Sequence, residues 1–303
     1  SEDYNIDNIE DKIFNGKVSL NNQFDFNKEL NDNYTSLAAS QFNWHKNIID
    51  NKNGLIYENK ANFRIVSISV DSKSSQDTDN IRFYPQINSV IKYPLIKSSK
   101  NFNQTLTPIV MPILAPYNNY TDAQVISNSN LFSPNRAISI KEWESGPRIN
   151  YGLEWFLDDN ADTSVKLTFG QSFRLNKKNS DTAEELSDYY FSSNATIKDN
   201  FINNTIILDR KDIDIKSISM NSYSKIYNLK LKIDYDYTSG KYSSINEQIA
   251  LGGEYNFKDN FYLKFTGTKD IDTNKNIGYQ YGLLYEDNCL GIDLNYYRDM
   301  TID

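Results

Sequence analysis

Tyr227-Asn-Leu-Lys-Leu-Lys-Ile-Asp-Tyr-Asp-Tyr237 decides the fold of this chain. Its odd positions are Tyr, Leu, Leu, Ile, Tyr and Tyr, and its even positions are Asn, Lys, Lys, Asp and Asp. A period of two is that of a β-strand, whose successive side chains point to opposite faces. Eleven residues match the roughly 9 to 11 that a tilted strand needs to cross a bilayer, and the tyrosines fall towards both ends, where aromatic girdles sit. The spacing predicts one face for lipid and one for water.

Working outward, Gln248 to Phe257, Phe261 to Thr268, Ile277 to Glu286 and Cys289 to Arg298 repeat the pattern. Ser239 to Glu247 and Lys269 to Asn276 are long connections, whereas Lys258-Asp-Asn260 and Asp287-Asn288 are short. Short turns at one end of the strands and longer loops at the other mark an up-and-down outer-membrane barrel. Carried backwards, this parity puts 71–79 and 117–145 on the long-loop, extracellular side. The fold expected is all-β: an antiparallel up-and-down transmembrane β-barrel segment of about 15 strands, part of a larger barrel. The odd count, the ending Tyr297-Arg-Asp-Met-Thr-Ile-Asp303 and the lack of a leader before Ser1 suggest a segment of a longer barrel domain.

Composition agrees. The 303 residues include 22 Tyr and 16 Phe yet carry 24% charged residues, so apolar and polar side chains must be finely interleaved. The longest apolar run, Ile109 to Ala115, is broken by Pro112, which excludes a spanning helix. A net charge of −8 argues against a nucleic-acid partner, because neutralising phosphates needs a basic face. One histidine, His45, and one cysteine, Cys289, leave no His- or Cys-based metal centre and no internal disulfide.

Towards the N-terminus, Ser1 to Lys12 is acidic, shows no period and reads as a loop or an incomplete element. Lys17 to Phe26 and Tyr34 to Trp44 pair as strands. Leu55 to Val70 is long, and its apolar parity changes between Phe63-Ile65 and Val66-Ile68-Val70, as an inserted bulge would produce. Asn80 to Ile96 is another strand, and Lys97 to Gln104 connects it to Thr105 to Phe156. Beyond that come Ser164 to Arg174 and three weaker strands, Asp188 to Lys198, Asn204 to Lys211 and Ile213 to Ser222.

The central stretch is different. Pro108, Pro112 and Pro116 share one parity and would remove three N–H donors from the same neighbouring strand. Either bulges or a strand end absorb them, or the seam there is weak. The excursion from Tyr117 to Ser145 holds Leu131, Phe132, Ile138, Ile140 and Trp143, which suits an ordered element folding over or into the barrel better than a flexible loop. Catalytic, cofactor-binding and metal sites are all expected to be none. Asp234 and Asp236 share their strand with Lys230 and Lys232, the marks of a solvated wall. Leu251-Gly-Gly-Glu254 lies within a strand and is no phosphate loop.

Several motifs together resemble one family. They are Leu106-Thr-Pro-Ile through Ala115-Pro-Tyr117, Asn130-Leu-Phe-Ser-Pro-Asn-Arg136, Trp143-Glu-Ser-Gly-Pro-Arg148 with Tyr151-Gly-Leu153, Phe169-Gly-Gln-Ser-Phe-Arg174, and Tyr285 to Arg298. In order, from about 105 to 298, they resemble the C-terminal barrel region of the LPS-assembly protein family LptD; residues 1–104 fit by pattern only. The resemblance implies a barrel of about 26 strands in the cell outer membrane that delivers lipopolysaccharide into the outer leaflet. Its implied partners are lipopolysaccharide, a plug lipoprotein, outer-membrane lipids and, through an N-terminal periplasmic domain absent from this sequence, a periplasmic LPS-bridge protein. It also implies that Cys289 is a candidate for an interdomain disulfide, although the family's cysteine pair is here Asn288-Cys289; a buried or unpaired thiol is the other reading. The lumen-wall candidates are Arg148, Asn150, Glu154, Lys230, Lys232, Asp234 and Asp236. The alternatives are a porin-like diffusion channel and a secreted β-solenoid or sandwich acting on carbohydrate.

Overall fold

The computed structural model describes residues 2–9, 15–28, 34–71, 78–117, 131–136, 143–159, 161–175, 185–240, 247–287 and 289–300. Those residues form seventeen strands. They are β1 (Glu2–Ile9), β2 (Lys17–Lys28), β3 (Tyr34–Asp50), β4 (Leu55–Asp71), β5 (Thr78–Lys92), β6 (Leu95–Ser98), β7 (Asn103–Leu114), β8 (Arg148–Asp158) and β9 (Thr163–Arg174). The rest are β10 (Tyr189–Ile197), β11 (Asn200–Leu208), β12 (Ile215–Ile226), β13 (Leu229–Thr238), β14 (Glu247–Lys258), β15 (Phe261–Asp270), β16 (Lys275–Glu286) and β17 (Gly291–Asp299). Every registered pairing is antiparallel, and almost all join neighbours in sequence, as the up-and-down expectation requires.

The chain divides into two compact units, one of residues 1–94, 107–152 and 171–187 and one of 95–106, 153–170 and 188–303. In the second, alternation sorts side chains as the sequence predicts. Lys230, Glu254 and Lys264 lie on one face, because Lys230 faces Glu254 across β13–β14 and Glu254 faces Lys264 across β14–β15. Leu251, Tyr255, Leu263, Tyr281, Leu283, Leu294 and Tyr296 are exposed on the other face, an apolar surface suited to hydrocarbon rather than water.

The first unit departs from that scheme. β3, β4 and β5 pair in unbroken register over fifteen or more positions, so the parity change in β4 is not a bulge. Both of its faces are apolar there for separate reasons. Phe63 and Ile65 are exposed on one side, while Val66 and Ile68 are buried on the other with Leu37, Ala39, Tyr84 and Trp143. Trp143 belongs to the excursion, and its ring covers that face and makes it a core. A second cluster on the covered face joins Val90 of β5 to Ile109, Met111 and Ile113 of β7, with Phe132 packed against it. Burying such side chains contributes roughly 1.5–3 kcal/mol each.

Other boundaries move too. Residues 2–9 form a strand registered against β2 rather than a loop; backbone pairing needs no alternating side chains, and these have none. β6 straddles the end of the strand read as Asn80 to Ile96 and the start of the connection read as Lys97 to Gln104, and it pairs with the start of β7. These two short elements bring the count to seventeen from the expected fifteen or so. Tyr227 falls outside β13, with φ 53° and a fully exposed ring, in the turn after β12; Ile213, at φ 60°, likewise precedes its strand.

The prolines of β7 all lie on its uncovered side. β5 and β7 pair at Ile87–Leu114, Asn88–Ile113, Ile91–Val110 and Lys92–Ile109, and the register skips Met111 and Pro112 between them. Tyr93 N–H donates to the Pro108 carbonyl at 3.2 Å, and Pro108 has no N–H to return. Pro112 shares that parity and lacks the donor that an antiparallel pair would use. Pro112→Thr is expected to stabilise the seam by about 1 kcal/mol, read as slower amide exchange at Val110 and Leu114.

Candidate functional site

The site lies where the excursion meets the covered face of the first unit. Glu144 is fully buried, and three arginines converge on its carboxylate. Arg136 donates from Nε to Oε2 at 2.8 Å and from Nη2 to Oε1 at 2.5 Å, a bidentate fork. Arg148 places Nη2 3.1 Å from Oε2, and Arg174 of β9 donates from Nη2 to Oε1 at 2.8 Å. Planar guanidinium groups suit this role because they can fork around both oxygens.

The same arginines bind backbone. Arg148 donates to the carbonyls of Pro134 at 2.5 Å and of Glu144 and Gly146 at 3.3 Å each. Arg174 Nη1 donates to the Ser145 carbonyl at 3.0 Å. Around them, Gln86 of β5 donates to the Pro134 carbonyl at 2.8 Å, and Asn150 of β8 donates to the Leu131 carbonyl at 2.7 Å. Asn135 Oδ1 accepts the Glu144 N–H at 2.8 Å. Residues 131–136 therefore form a strap tied to β5 and β8 by polar side chains and to β7 by Phe132. Arg64 stands 5.7 Å from the centroid of the Trp143 ring, a cation–π contact that seats the second buried segment.

Burial opposes the Glu144 charge, but the hydrogen bond from Arg136 and the charges of Arg148, Arg136 and Arg174 outweigh it and hold the carboxyl below its ordinary range. A depressed folded-state value gives stability that is complete above the unfolded value and lost as pH falls through the folded one. Protease resistance of 131–136 and 143–148 is therefore expected to stay constant from about pH 7 to 5 and to fall only below about pH 4. In Glu144→Gln that acid transition should disappear.

The lumen-wall candidates divide between two settings. Arg148 and Asn150 are brought together here, fully buried and tied to the strap. The others lie in the second unit, among polar partners. Glu154 pairs with Lys166 at 2.7 Å, Lys230 with Glu254 at 2.6 Å and Lys232 with Asp234 at 2.9 Å. Asn221 also donates to Asp234, while Asp236 faces Gln248 in register. Cys289 is exposed in the turn before β17, where Asp287 Oδ1 accepts its N–H at 2.8 Å. Among the described residues no group of His, Cys, Asp and Glu could hold a metal.

Sequence reasoning did not single out Glu144, Arg136, Arg174 or Gln86. A signal was present: four of the quoted motifs end in arginine, and three of these, Arg136, Arg148 and Arg174, meet on Glu144.

Residues 13–261 match the family described as LptD, LPS transport system D. The chain belongs to the LptD family. This match includes most of the first hundred residues and stops before the Tyr285 to Arg298 motif. LptD is a transport and assembly family rather than an enzyme family, and its membership gives this chain a role in lipopolysaccharide transport. No curated protein matches the sequence. Among solved structures, two mutants of the Rh. blastica porin are similar at 12% identity, with TM-scores of 0.40 and 0.39, covering 93% of this chain and 94% of theirs.

Proposed function

We propose that this chain is part of the wall of an outer-membrane translocon that assembles lipopolysaccharide into the outer leaflet. The family match carries the reading. It is supported by connection lengths that alternate from 198–199 and 227–228 on one side to 209–214 and 239–246 on the other, which suits periplasmic turns and extracellular loops. The long excursion then lies at the extracellular end, its buried segments held against the wall by the Glu144 clamp. Lys230, Lys232, Asp234 and Asp236 present a hydrated face that guides the saccharide, alongside Glu154; Arg148 and Asn150 hold the strap. A plug lipoprotein, outer-membrane lipids and a periplasmic bridge protein are the partners this role requires, and Cys289 is the candidate for an interdomain bridge.

The test is complementation with the full-length protein in cells depleted of their own copy. Loss of lipopolysaccharide from the surface on depletion, restored by the wild type, is the expected result. Normal arrival of lipopolysaccharide without the protein, together with open-pore ion conductance in bilayers, would replace this reading with a diffusion channel.

A further inference from the structure

On the uncovered face of the first unit, an apolar slot of about 440 Å³ is lined by Phe63, Pro85, Ile87, Leu114, Pro116 and Pro147, among others. Its origin is the proline seam. Backbone pairing between β5 and β7 ends at Ile87–Leu114, two residues short of both Pro85 and Pro116. Neither proline can donate a bond across the gap, and each carries only a ring close to its own backbone. The surface therefore drops between the tall side chains of Phe63, Ile87 and Leu114, all of which are exposed.

The slot has a floor and fixed walls. Behind it, Gln86 is held by the strap through the Pro134 carbonyl at 2.8 Å. Gly146 N–H donates to the Pro116 carbonyl at 3.1 Å, and Leu175 N–H donates to the Pro147 carbonyl at 3.1 Å. The slot is shallow and largely open, and two of its edges are pinned by these backbone bonds. The surrounding surface, with Ile65, Ile81, Phe83 and Val110 also exposed, is apolar, so the neighbouring medium is hydrocarbon when the chain stands in a membrane.

We propose that this slot binds one acyl chain of a lipopolysaccharide molecule in the outer leaflet. The lining is mostly carbon, with Gln86 turned to the strap behind it and Tyr117 its other polar side chain, and it carries no charged group to hold a phosphate, which favours a hydrocarbon chain. The slot sits at the excursion end of β7, beside the middle of β4 and β5, and we assign that level to the outer leaflet; this step rests on the translocon reading above. A long chain seated there exchanges ordinary lipid contact for a concave surface, which gains dispersion contacts on several sides at once.

The test uses the full-length protein with its lipoprotein partner in bilayers holding both lipopolysaccharide and phospholipid. A photoreactive benzoylphenylalanine is placed at Leu114, inside the slot, or at Ile81, on the same face outside it, and lipid adducts are identified by mass. Lipopolysaccharide adducts several-fold more abundant at Leu114 than at Ile81, and reduced to the Ile81 level by Ile87→Trp, which fills the slot, are expected. Equal yields at the two positions, or enrichment of phospholipid rather than lipopolysaccharide at Leu114, would overturn the proposal. Heat-modifiable mobility confirms that each variant is folded. Because the adduct is read without transport, equal yields in a protein that still restores surface lipopolysaccharide remove the slot alone, whereas failed complementation removes the translocon reading.

Discussion

Glu144→Gln is expected to destabilise the folded protein by about 3–5 kcal/mol, the usual effect of leaving a buried charge without its partner. Here a single carboxylate answers three guanidinium groups, so its loss leaves Arg148, which is fully buried, facing Arg136 and Arg174. Water cannot compensate Arg148 without opening the strap. The measurement is the urea midpoint of the protein refolded in lipid vesicles, together with protease cleavage within 131–136 and 143–148. Arg136→Lys is a useful companion. It keeps the charge but cannot fork onto both oxygens, so its effect should be smaller and confined to the strap. Equal midpoints for wild type and Glu144→Gln would mean that the arginines are satisfied without the carboxylate.

Met111→Ala should cost about 2–5 kcal/mol, the range for deleting a large buried side chain. Met111 has no solvent exposure and sits with Val90, Ile109 and Ile113 under Phe132. It occupies the part of the β5–β7 register where backbone pairing is skipped, so side-chain packing carries more of the cohesion there than elsewhere. Val110→Ala, one residue away on the uncovered face and exposed, should change the midpoint in vesicles far less. Similar losses for both would show that the covered face is not a core.

The residues that alternate cleanly announced their strands. β13 to β16 could be read because one face is polar and the other apolar, and each side chain reports its own direction. Val66 and Ile68 misled for the opposite reason. A covering segment more than seventy residues downstream in sequence makes their face apolar too, and a local pattern cannot tell a second core from a slip in register. The first strand was invisible because residues 2–9 show no sustained alternation. Tyr227 was misplaced because a left-handed turn position is uncommon for a large side chain. Arg148 and Asn150, read as lumen-wall candidates, are fully buried, and that burial could not be read from alternation because it depends on where residues 131–136 and 143–145 dock. The clamp itself was out of reach of periodicity, since Arg136, Glu144 and Arg174 come from two loop segments and a strand.

All four charged residues of the clamp lie between positions 136 and 174. The interaction is therefore nearly local along the chain, and contacts of short sequence separation form at low entropic cost. Glu144 needs no strand beyond β9 to collect its arginines, and the strap needs only β5, β7 and β8 beneath it. The excursion can dock while the strands from β10 onward are still unfolded. On that order of events, the covered face of the first unit is complete before the later strands form.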